Sequence, residues 1–535
     1  MKRILAIVLA AMLLLTFLAA CKTDDPGSST PTPAPATSGE DPAPPDDNTD
    51  TGDSTDGGYY PGEISVSMIE SWYAAVSYGN GDMPVQQAIE EATNLTITWN
   101  VMPGAEYVEA MQVRMGAGVD LDDIIMTMQP LGSYLERGLM VNLDPYITPE
   151  AAPYLTQMII DYPNLRNAMF FEDGLYNLPV FMDNFPALES VWIRNDWLQA
   201  VGLPIPKTVD EYVDALVAFQ ENDVNGSGVK DEMVVAFGFD TGTYQTYFGN
   251  VFHMNFGQMY WSINAAGKAE HDYMTDRGLE YLTVMNKMYE LGVLDPEYVD
   301  MPIDTMIARI ANDQASSLVW YPWSKSWLES FQPDADYTIA VLEGPYGRQQ
   351  YYKQQEFQGY GFVTSFCEDP SLAVRIFEFY LASPEGQILS NWGVEGITWE
   401  WDGNERRFTD FVTANPEGLA NSDAQRSIGM GLNLPNRFDL DAYFAAYDES
   451  DLAEQAKVVP FLQGFDGFMY ILPNGEEADL MATVGKDIDT YILEMTAKFI
   501  AGIEPLSKYS EFQDNLIALG IEQIGATYDA RQSRS

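Results

Sequence analysis

Hydrophobic and polar positions along this chain follow two periods, and the switch between them recurs through most of its length. Glu63 to Met68 alternates with the period of two expected of a half-buried strand, whereas Val85 to Thr93 repeats its apolar positions at helical spacing. Leu95 to Val101 is a β-rich strand, Tyr107 to Gly116 a helix and Leu121 to Met128 a buried strand, after which Gly138 to Leu143 turns the chain into a further segment. Later strands are predicted at Met233 to Phe239, Ser316 to Trp320, Tyr337 to Leu342 and Gly359 to Ser365. Helices are predicted at Ser371 to Leu381, Ala478 to Phe499 and Tyr509 to Ala530. Strands alternating with helices imply βαβ units and a mostly parallel sheet. In such sheets ligands sit beyond the carboxyl ends of the strands, here the loops beginning at Ile69 and Thr127.

The beginning of the chain breaks this pattern. Lys2 and Arg3 precede an apolar run, Ile4 to Phe17, too short to span a bilayer comfortably, and the run closes on Leu18-Ala19-Ala20-Cys21. Small residues ahead of a cysteine at the end of such a run read as a lipobox, so residues 1–20 are expected to be removed and Cys21 to carry a lipid. Lys22 to Gly62 is Pro, Ser, Thr, Gly and Asp with almost nothing apolar, and nine acidic residues against one basic. A segment that cannot bury surface cannot offset its chain entropy, so 21–62 is expected to be a disordered, self-repelling acidic stalk.

The remaining body is longer than one core usually supports, so two lobes are expected. With 80 acidic and 27 basic residues the chain carries a net charge of −53, and the excess persists once leader and stalk are set aside. Such a field repels nucleic acid and anionic headgroups, and opposes uronate or phosphate ligands unless a local basic pocket overrides it. With Cys21 lipidated, Cys367 has no partner within the chain. His253 and His271 have no second His or Cys at ligand spacing, which argues against an imidazole-based zinc or iron site.

Thr208 followed by Glu211 is a capping box. Tyr212, Val213, Leu216, Val217 and Phe219 then continue at helical spacing. The helix runs into Asp223-Val-Asn-Gly-Ser-Gly-Val-Lys-Asp-Glu232, the best chemical motif in the chain. Asp223, Asn225, Ser227, the carbonyl of Val229, Asp231 and Glu232 offer the all-oxygen set that a hard cation prefers, and calcium is the expected ion. The loop departs from an EF-hand at its twelfth position, which is Val234 rather than a bidentate Glu. Catalysis finds no comparable support: there is no Gly-x-Ser-x-Gly elbow, no His-Glu-x-x-His and no phosphate-binding glycine loop. Aromatic residues make up 13% of the chain, with 11 Trp and 31 Tyr. Sugar rings present apolar C–H faces that stack on such side chains. Trp72 and Tyr73, after the first strand, and Gln129, at the end of the Leu121 strand, are candidate ligand contacts.

Five fragments resemble one family. Asp120-Leu-Asp-Asp-Ile-Ile-Met126 is similar to a "gDlPDii" strand, although Leu121-Asp122 stands where Pro is usual. Gly138-Leu-Met-Val-Asn-Leu-Asp-Pro-Tyr146 resembles "GlLvdLdpy", and Asp173-Gly-Leu-Tyr-Asn-Leu-Pro179 resembles "dGkiYglP". Val191-Trp-Ile-Arg-Asn-Asp-Trp-Leu198 with Gly202-Leu-Pro-Ile-Pro-Lys-Thr-Val-Asp-Glu-Tyr212 is similar to "lwyrkDwLdklGl..P.TwdEy". In order and spacing these resemble the extracellular solute-binding proteins of ABC importers, family 1, especially the large carbohydrate-binding members.

The resemblance implies an α/β, two-lobed periplasmic-binding-protein-like fold of type II with a hinge between lobes, near 181–188 and 359–366. It divides the body into 63–183 with 366–454 and 184–365 with 455–535. It implies a monomeric, non-enzymatic protein, anchored on the extracellular face of the membrane, that binds a carbohydrate in an interlobe cleft and passes it to ABC permease subunits. Tyr321-Pro-Trp-Ser-Lys-Ser-Trp327 resembles the position where sugar binders place a stacking Trp, making Trp323 the first choice and Tyr321 its neighbour. Tyr247 falls in a stretch that is aromatic in maltose-type binders, and Trp392-Gly-Val-Glu-Gly396 with Trp399 is similar to a cleft-lining "GiEGidy" loop. The 223–232 loop resembles the structural calcium site of the large members. A surface enzyme acting on polysaccharide, or an adhesin or sensor on the same fold, remains open at this point, as does a peptide-like ligand.

Overall fold

The computed structural model describes residues 59–533 apart from 70–80, 128–130, 172–173, 182–189, 236–247, 255–259, 300, 353–356, 432–433 and 464–472. Among these residues nine strands build two main sheets: β1 (Gly62–Ile69), β2 (Leu95–Met102), β3 (Ile124–Thr127), β4 (Leu178–Phe181), β5 (Ser190–Arg194), β6 (Met233–Val235), β7 (Ala315–Trp320), β8 (Tyr337–Ile339) and β9 (Phe357–Val363). The first sheet has the order β2-β1-β3-β9-β4 and the second β8-β5-β7-β6.

The parallel expectation holds where the chain makes true crossovers. β1 pairs in parallel with β2, from Gly62 opposite Leu95 to Ile69 opposite Met102, and with β3 at Val66 and Ile124. Elsewhere it is corrected. β9 runs antiparallel to β3 and β4, and β5 antiparallel to β7 and β8, while β7 and β6 are parallel. β5 and β9 are reached by connections that pass from one sheet to the other, so no crossover helix obliges them to be parallel.

The helices that matter for function are α1 (Pro84–Thr93), α2 (Gly104–Ala117), α3 (Gly132–Glu136), α4 (Val209–Asn222), α5 (Asp276–Glu290), α6 (Lys325–Phe331), α7 (Pro370–Phe377), α8 (Leu440–Ala445), α9 (Glu449–Gln455), α10 (Gly475–Leu480) and α11 (Lys486–Ile500). Val85 and Ile89 of α1 pack on Ile64, Val66 and Ile97 of the first sheet. Tyr212, Leu216 and Phe219 of α4, with Ile488, Ile492 and Phe499 of α11, pack on Val191 and Ile193 of the second. Each sheet therefore has its own core, as two bodies of this size require. α10 passes through one π-helical turn, Met481–Gly485, directly into α11. Among the described residues no helix is long and apolar enough to cross a membrane.

Two expected boundaries move. Phe357–Val363, expected with the second group of residues, hydrogen-bonds into the first sheet. α9, expected with the first group, docks on the second. Glu454 accepts from the Ile339 N–H at 2.8 Å, and Asp451 accepts from the Ser326 N–H at 2.9 Å and its Oγ at 2.5 Å. Residues 59–61, expected in the linker, are placed on the body. Tyr59 and Tyr60 lie against the Arg375 guanidinium at 4.6 and 4.4 Å, and Arg375 donates to the Tyr60 carbonyl at 2.7 Å.

Candidate functional site

The segment after β7 meets β4 and α8 where the two bodies join. The Phe181 N–H donates to the Asn436 carbonyl at 2.7 Å, and the Phe438 N–H donates to the Phe181 carbonyl at 2.8 Å. This lays residues 436–438 along the edge of the first sheet. Asn436 and Phe438 flank Arg437 in this extended stretch and so share the face opposite to it. Phe438 and Val180 there pack with Tyr321 and Trp323 from the end of β7 and with Leu440, Tyr443, Phe444 and Tyr447. Tyr321 stacks on Trp323 at 5.5 Å and 21°, while Tyr443 and Phe444 meet the indole edge-on at 5.8 and 5.7 Å.

The two phenols of this junction pair with each other as neutral hydrogen-bonding groups. The Tyr447 hydroxyl donates to Tyr443 Oη at 3.0 Å. Burial pushes the Tyr447 phenol up to about 12 and raises Tyr443 well above the ordinary range, with the neighbouring phenol adding to it at Tyr443. Both therefore remain protonated donors. Asn436 is 8% exposed, and its Oδ1 is buried with no hydrogen-bond partner. A buried acceptor without a donor is costly unless something supplies one.

The structure separates the predicted contacts. Cys21, Trp72, Tyr73, Gln129 and Tyr247 lie outside the described residues. Tyr321 is half-buried at the junction. The expectation of an accessible ring is corrected at three tryptophans. Trp323 is 3% exposed and enclosed by the aromatic group above. Trp392 and Trp399 are 6% and 4% exposed. Their indole N–H groups donate to Asp439 Oδ2 and to the Gly393 carbonyl, both at 3.3 Å, and Trp392 stacks on Phe408 at 4.9 Å. Their periodicity is the same whether a ring fills a core or lines a cleft, so sequence could not separate the two. Phe438, Tyr443, Phe444 and Tyr447 were missed, although aromatic residues at 443, 444 and 447 carry the spacing of one helical face.

The 223–232 loop connects α4 to β6. Asp223 ends α4 in the left-handed region, with φ of 48°, and its carboxylate accepts from the Gly228 N–H at 3.0 Å. Asn225 Nδ2 donates to Asp231 Oδ1 at 3.0 Å and to the Asp313 carbonyl at 2.9 Å. Ser227 Oγ donates to Asp231 Oδ1 at 2.7 Å, and to the Val229 carbonyl at 3.0 Å. Burial alone would raise the Asp231 carboxyl, but hydrogen bonds from Gln314, Asn225 and Ser227 together outweigh it and hold it below the ordinary value. Glu232 differs. It is fully buried, neither carboxylate oxygen makes a full hydrogen bond, and burial, only partly offset by the nearby Glu232 and Asn225 backbone N–H groups and reinforced by Asp231 and Asp223, raises its pKa. Among the described residues no three His, Cys, Asp or Glu side chains converge as a metal site. A cation here would have to draw also on the amide, hydroxyl and carbonyl oxygens of the loop. An orphaned buried carboxylate beside such a loop fits a hard cation.

Comparison with known proteins gives a consistent picture. The family model described as bacterial extracellular solute-binding protein matches residues 76–364, more than half of the chain. The fructooligosaccharide ABC transporter substrate-binding protein FusA of Streptococcus pneumoniae serotype 4 is 22% identical over 82% of this chain and 84% of its own. Lipoprotein LipO of Bacillus subtilis is 24% identical over 78% and 82%. Among solved structures, S. pneumoniae FusA in complex with kestose superposes with a TM-score of 0.73 at 19% identity, covering 88% of this chain and 100% of that one. A FusA EF-hand mutant in complex with fructo-nystose gives 0.71 at 19%, over 88% and 100%. The alginate-binding protein AlgQ2 without calcium ion gives 0.70 at 20%, over 88% and 98%. These likenesses establish a two-lobed, periplasmic-binding-protein-like α/β fold.

Proposed function

The chain belongs to the bacterial extracellular solute-binding protein family, and from that premise we propose that it is the substrate-binding subunit of an ABC importer, closing its two bodies on an oligosaccharide and delivering it to permease subunits. The observation that carries the reading is the aromatic junction at Tyr321, Trp323, Phe438, Tyr443 and Tyr447, built from both bodies. Stacked rings offer faces to the C–H surface of a sugar, and a buried acceptor such as Asn436 Oδ1 is what a ligand hydroxyl would satisfy. The relatives that bind fructooligosaccharide and kestose support the same class of ligand.

Binding and closure are the whole of the proposed mechanism, with no bond made or broken. Trp323 holds Tyr321, Tyr443 and Phe444 in place, and Tyr321, half-buried, meets the ligand. Trp72, Tyr73, Gln129 and Tyr247 complete the proposed contacts from the loops that carry them. Ligand binds the closed arrangement better than the open one, and that difference in affinity gives a permease two states to distinguish. The protein is proposed to work as a monomer, held at the extracellular face through a lipid on Cys21. Calcium is the proposed structural ion of the 223–232 loop, with Glu232, Asp223 and Asp231 supplying charge and Asn225, Ser227 and the Val229 carbonyl neutral oxygens. A relative solved as an EF-hand mutant supports this assignment. The ion would compensate the buried Glu232 charge and fix the turn between α4 and β6.

Isothermal calorimetry with kestose and a panel of neutral and uronate oligosaccharides, run beside a product assay on the same mixtures, tests the reading. Saturable binding of a saccharide with no product supports it. Product formation would make the protein an enzyme, and binding of peptides alone would displace the sugar.

A further inference from the structure

A second place where the two bodies meet lies away from the aromatic junction. α3 follows β3, across 128–130, at the carboxyl edge of the first sheet. Leu131, Tyr134 and Leu135 anchor it on Ile125 and Phe362 of that sheet. α10 belongs to the other body: Leu480, Met481 and Val484 pack against the core of the second sheet together with Ile488 and Ile492. Yet α3 and α10 touch, and they do so through two glycines. A methyl group on Gly132 would stand 3.1 Å from Ala478 Cβ, and 3.6 and 3.8 Å from the Pro473 and Asn474 carbonyl oxygens. A methyl group on Gly475 would fall on the Glu136 carboxylate. Neither glycine has positive φ, so the backbone tolerates side chains at both positions. At Gly475 the obstacle is the far end of the flexible Glu136 side chain, which can move aside, whereas at Gly132 it is Ala478 Cβ and the backbone before it, so the approach of the other helix restricts Gly132.

We propose that this α3–α10 contact is the closing latch between the two bodies, with Gly132 as the residue whose lack of a side chain, opposite Ala478, lets the mouth shut. The inference rests on the binding-and-closure reading and adds to it the residues that set the closed population. Three observations support it. The contact joins elements whose cores are separate, so a change in the spacing of the bodies would make or break it. It sits at the carboxyl edge of the first sheet, the side where ligand loops gather in such folds. And α10 hangs from α11 by the π-helical turn Met481–Gly485, a place where helices depart from regular bonding and adjust. Closure therefore brings a small-residue surface of α10 onto α3, and the ligand's preference for the closed state acts through that surface.

The test uses the full chain in two directions. Gly132→Leu should prop the bodies apart. Its radius of gyration by small-angle scattering should exceed the wild-type value, and its affinity for kestose should fall at least tenfold, with the melting midpoint retained. Gly132→Ala and its combination with Ala478→Gly form the milder pair: the single change should weaken binding and the second should restore it. In the opposite direction, Gly132→Cys with Ala478→Cys, on a Cys367→Ser background, places two Cβ atoms close to the roughly 3.5–4.5 Å a disulfide needs. Oxidation should lock the compact form and slow kestose release at least tenfold, and reductant should reverse both. Unchanged scattering and affinity in Gly132→Leu would overturn the latch. So would an oxidised pair that binds and releases at the reduced protein's rates, or a natively melting pair that does not cross-link. The scattering and cross-linking arms need no ligand. If they succeed while no saccharide binds, the latch stands and the sugar reading falls.

Discussion

Trp323 shows how much a single side chain can mislead when only its neighbours in sequence are known. Its place after a strand and beside Tyr321 marked it as a platform, and the structure encloses it, 3% exposed, among rings from three segments. Removing a buried indole leaves a cavity, so Trp323→Ala is expected to cost about 3–5 kcal/mol in a urea melt. Tyr321→Ala, at a half-buried ring, should cost far less stability and weaken saccharide affinity by roughly 1 kcal/mol in calorimetry. Equal stability losses in the two variants would remove this distinction. In sequence His271 has no second His or Cys at ligand spacing. It is buried between Tyr260, Tyr273 and Trp261, and burial pushes its pKa down to about 3. The unfolded chain, with an ordinary imidazole near 6.5, binds the proton first, so this contribution to stability is intact above about pH 6.5 and is lost as pH falls from there toward 3. The slope should be up to about 1.4 kcal/mol per pH unit, and a His271→Phe variant melted across pH 7 to 4 should show a shallower loss than wild type.

At the scale of elements, local rules were legible and long-range pairing was not. The Thr208 cap is as predicted, with the Glu211 N–H donating to Thr208 Oγ1 at 3.2 Å. The reciprocal half of the box goes elsewhere: the Lys207 N–H, not that of Thr208, donates to Glu211 Oε2 at 2.8 Å. Ala478 to Phe499 is helical as its spacing required, but the π turn at Met481–Gly485 leaves no mark in an amphipathic pattern. Spacing likewise cannot tell which donor of the 223–232 loop turns inward. That donor is Glu232, and it sharpens the calcium prediction. A buried carboxylate with no partner destabilises the metal-free protein, and an ion bound only by the folded state raises its stability by mass action. EDTA should therefore lower the wild-type melting midpoint. Glu232→Gln should melt in EDTA at or above the wild type in EDTA and gain little when calcium is restored. A Gln variant with the full wild-type response to calcium would exclude Glu232 from the site.

The whole molecule was legible as two bodies because two cores were needed for its length, and its boundaries were not, because β9 and α9 are placed by partners more than a hundred residues away. The charge acts at this scale too. A net −53 works against compaction by self-repulsion and against docking on anionic surfaces, so a protein that must stay beside a membrane needs an attachment that charge cannot supply. The proposed lipid on Cys21 is that attachment, and the acidic stretch behind it is the proposed spacer; Tyr59 and Tyr60, beyond it, lie against the Arg375 guanidinium. One acyl-bearing residue with no basic patch beside it leaves no second signal to hold the chain. Cys21→Ser should therefore move the protein from the membrane fraction to the medium and abolish labelling by a fatty-acid analogue. Its melting midpoint and saccharide affinity should match those of the wild type, since the proposed ligand contacts and both cores are built from residues of the body. Label persisting on the Ser variant would sink the lipid assignment. A released variant with altered affinity would instead show that the tether contributes to binding.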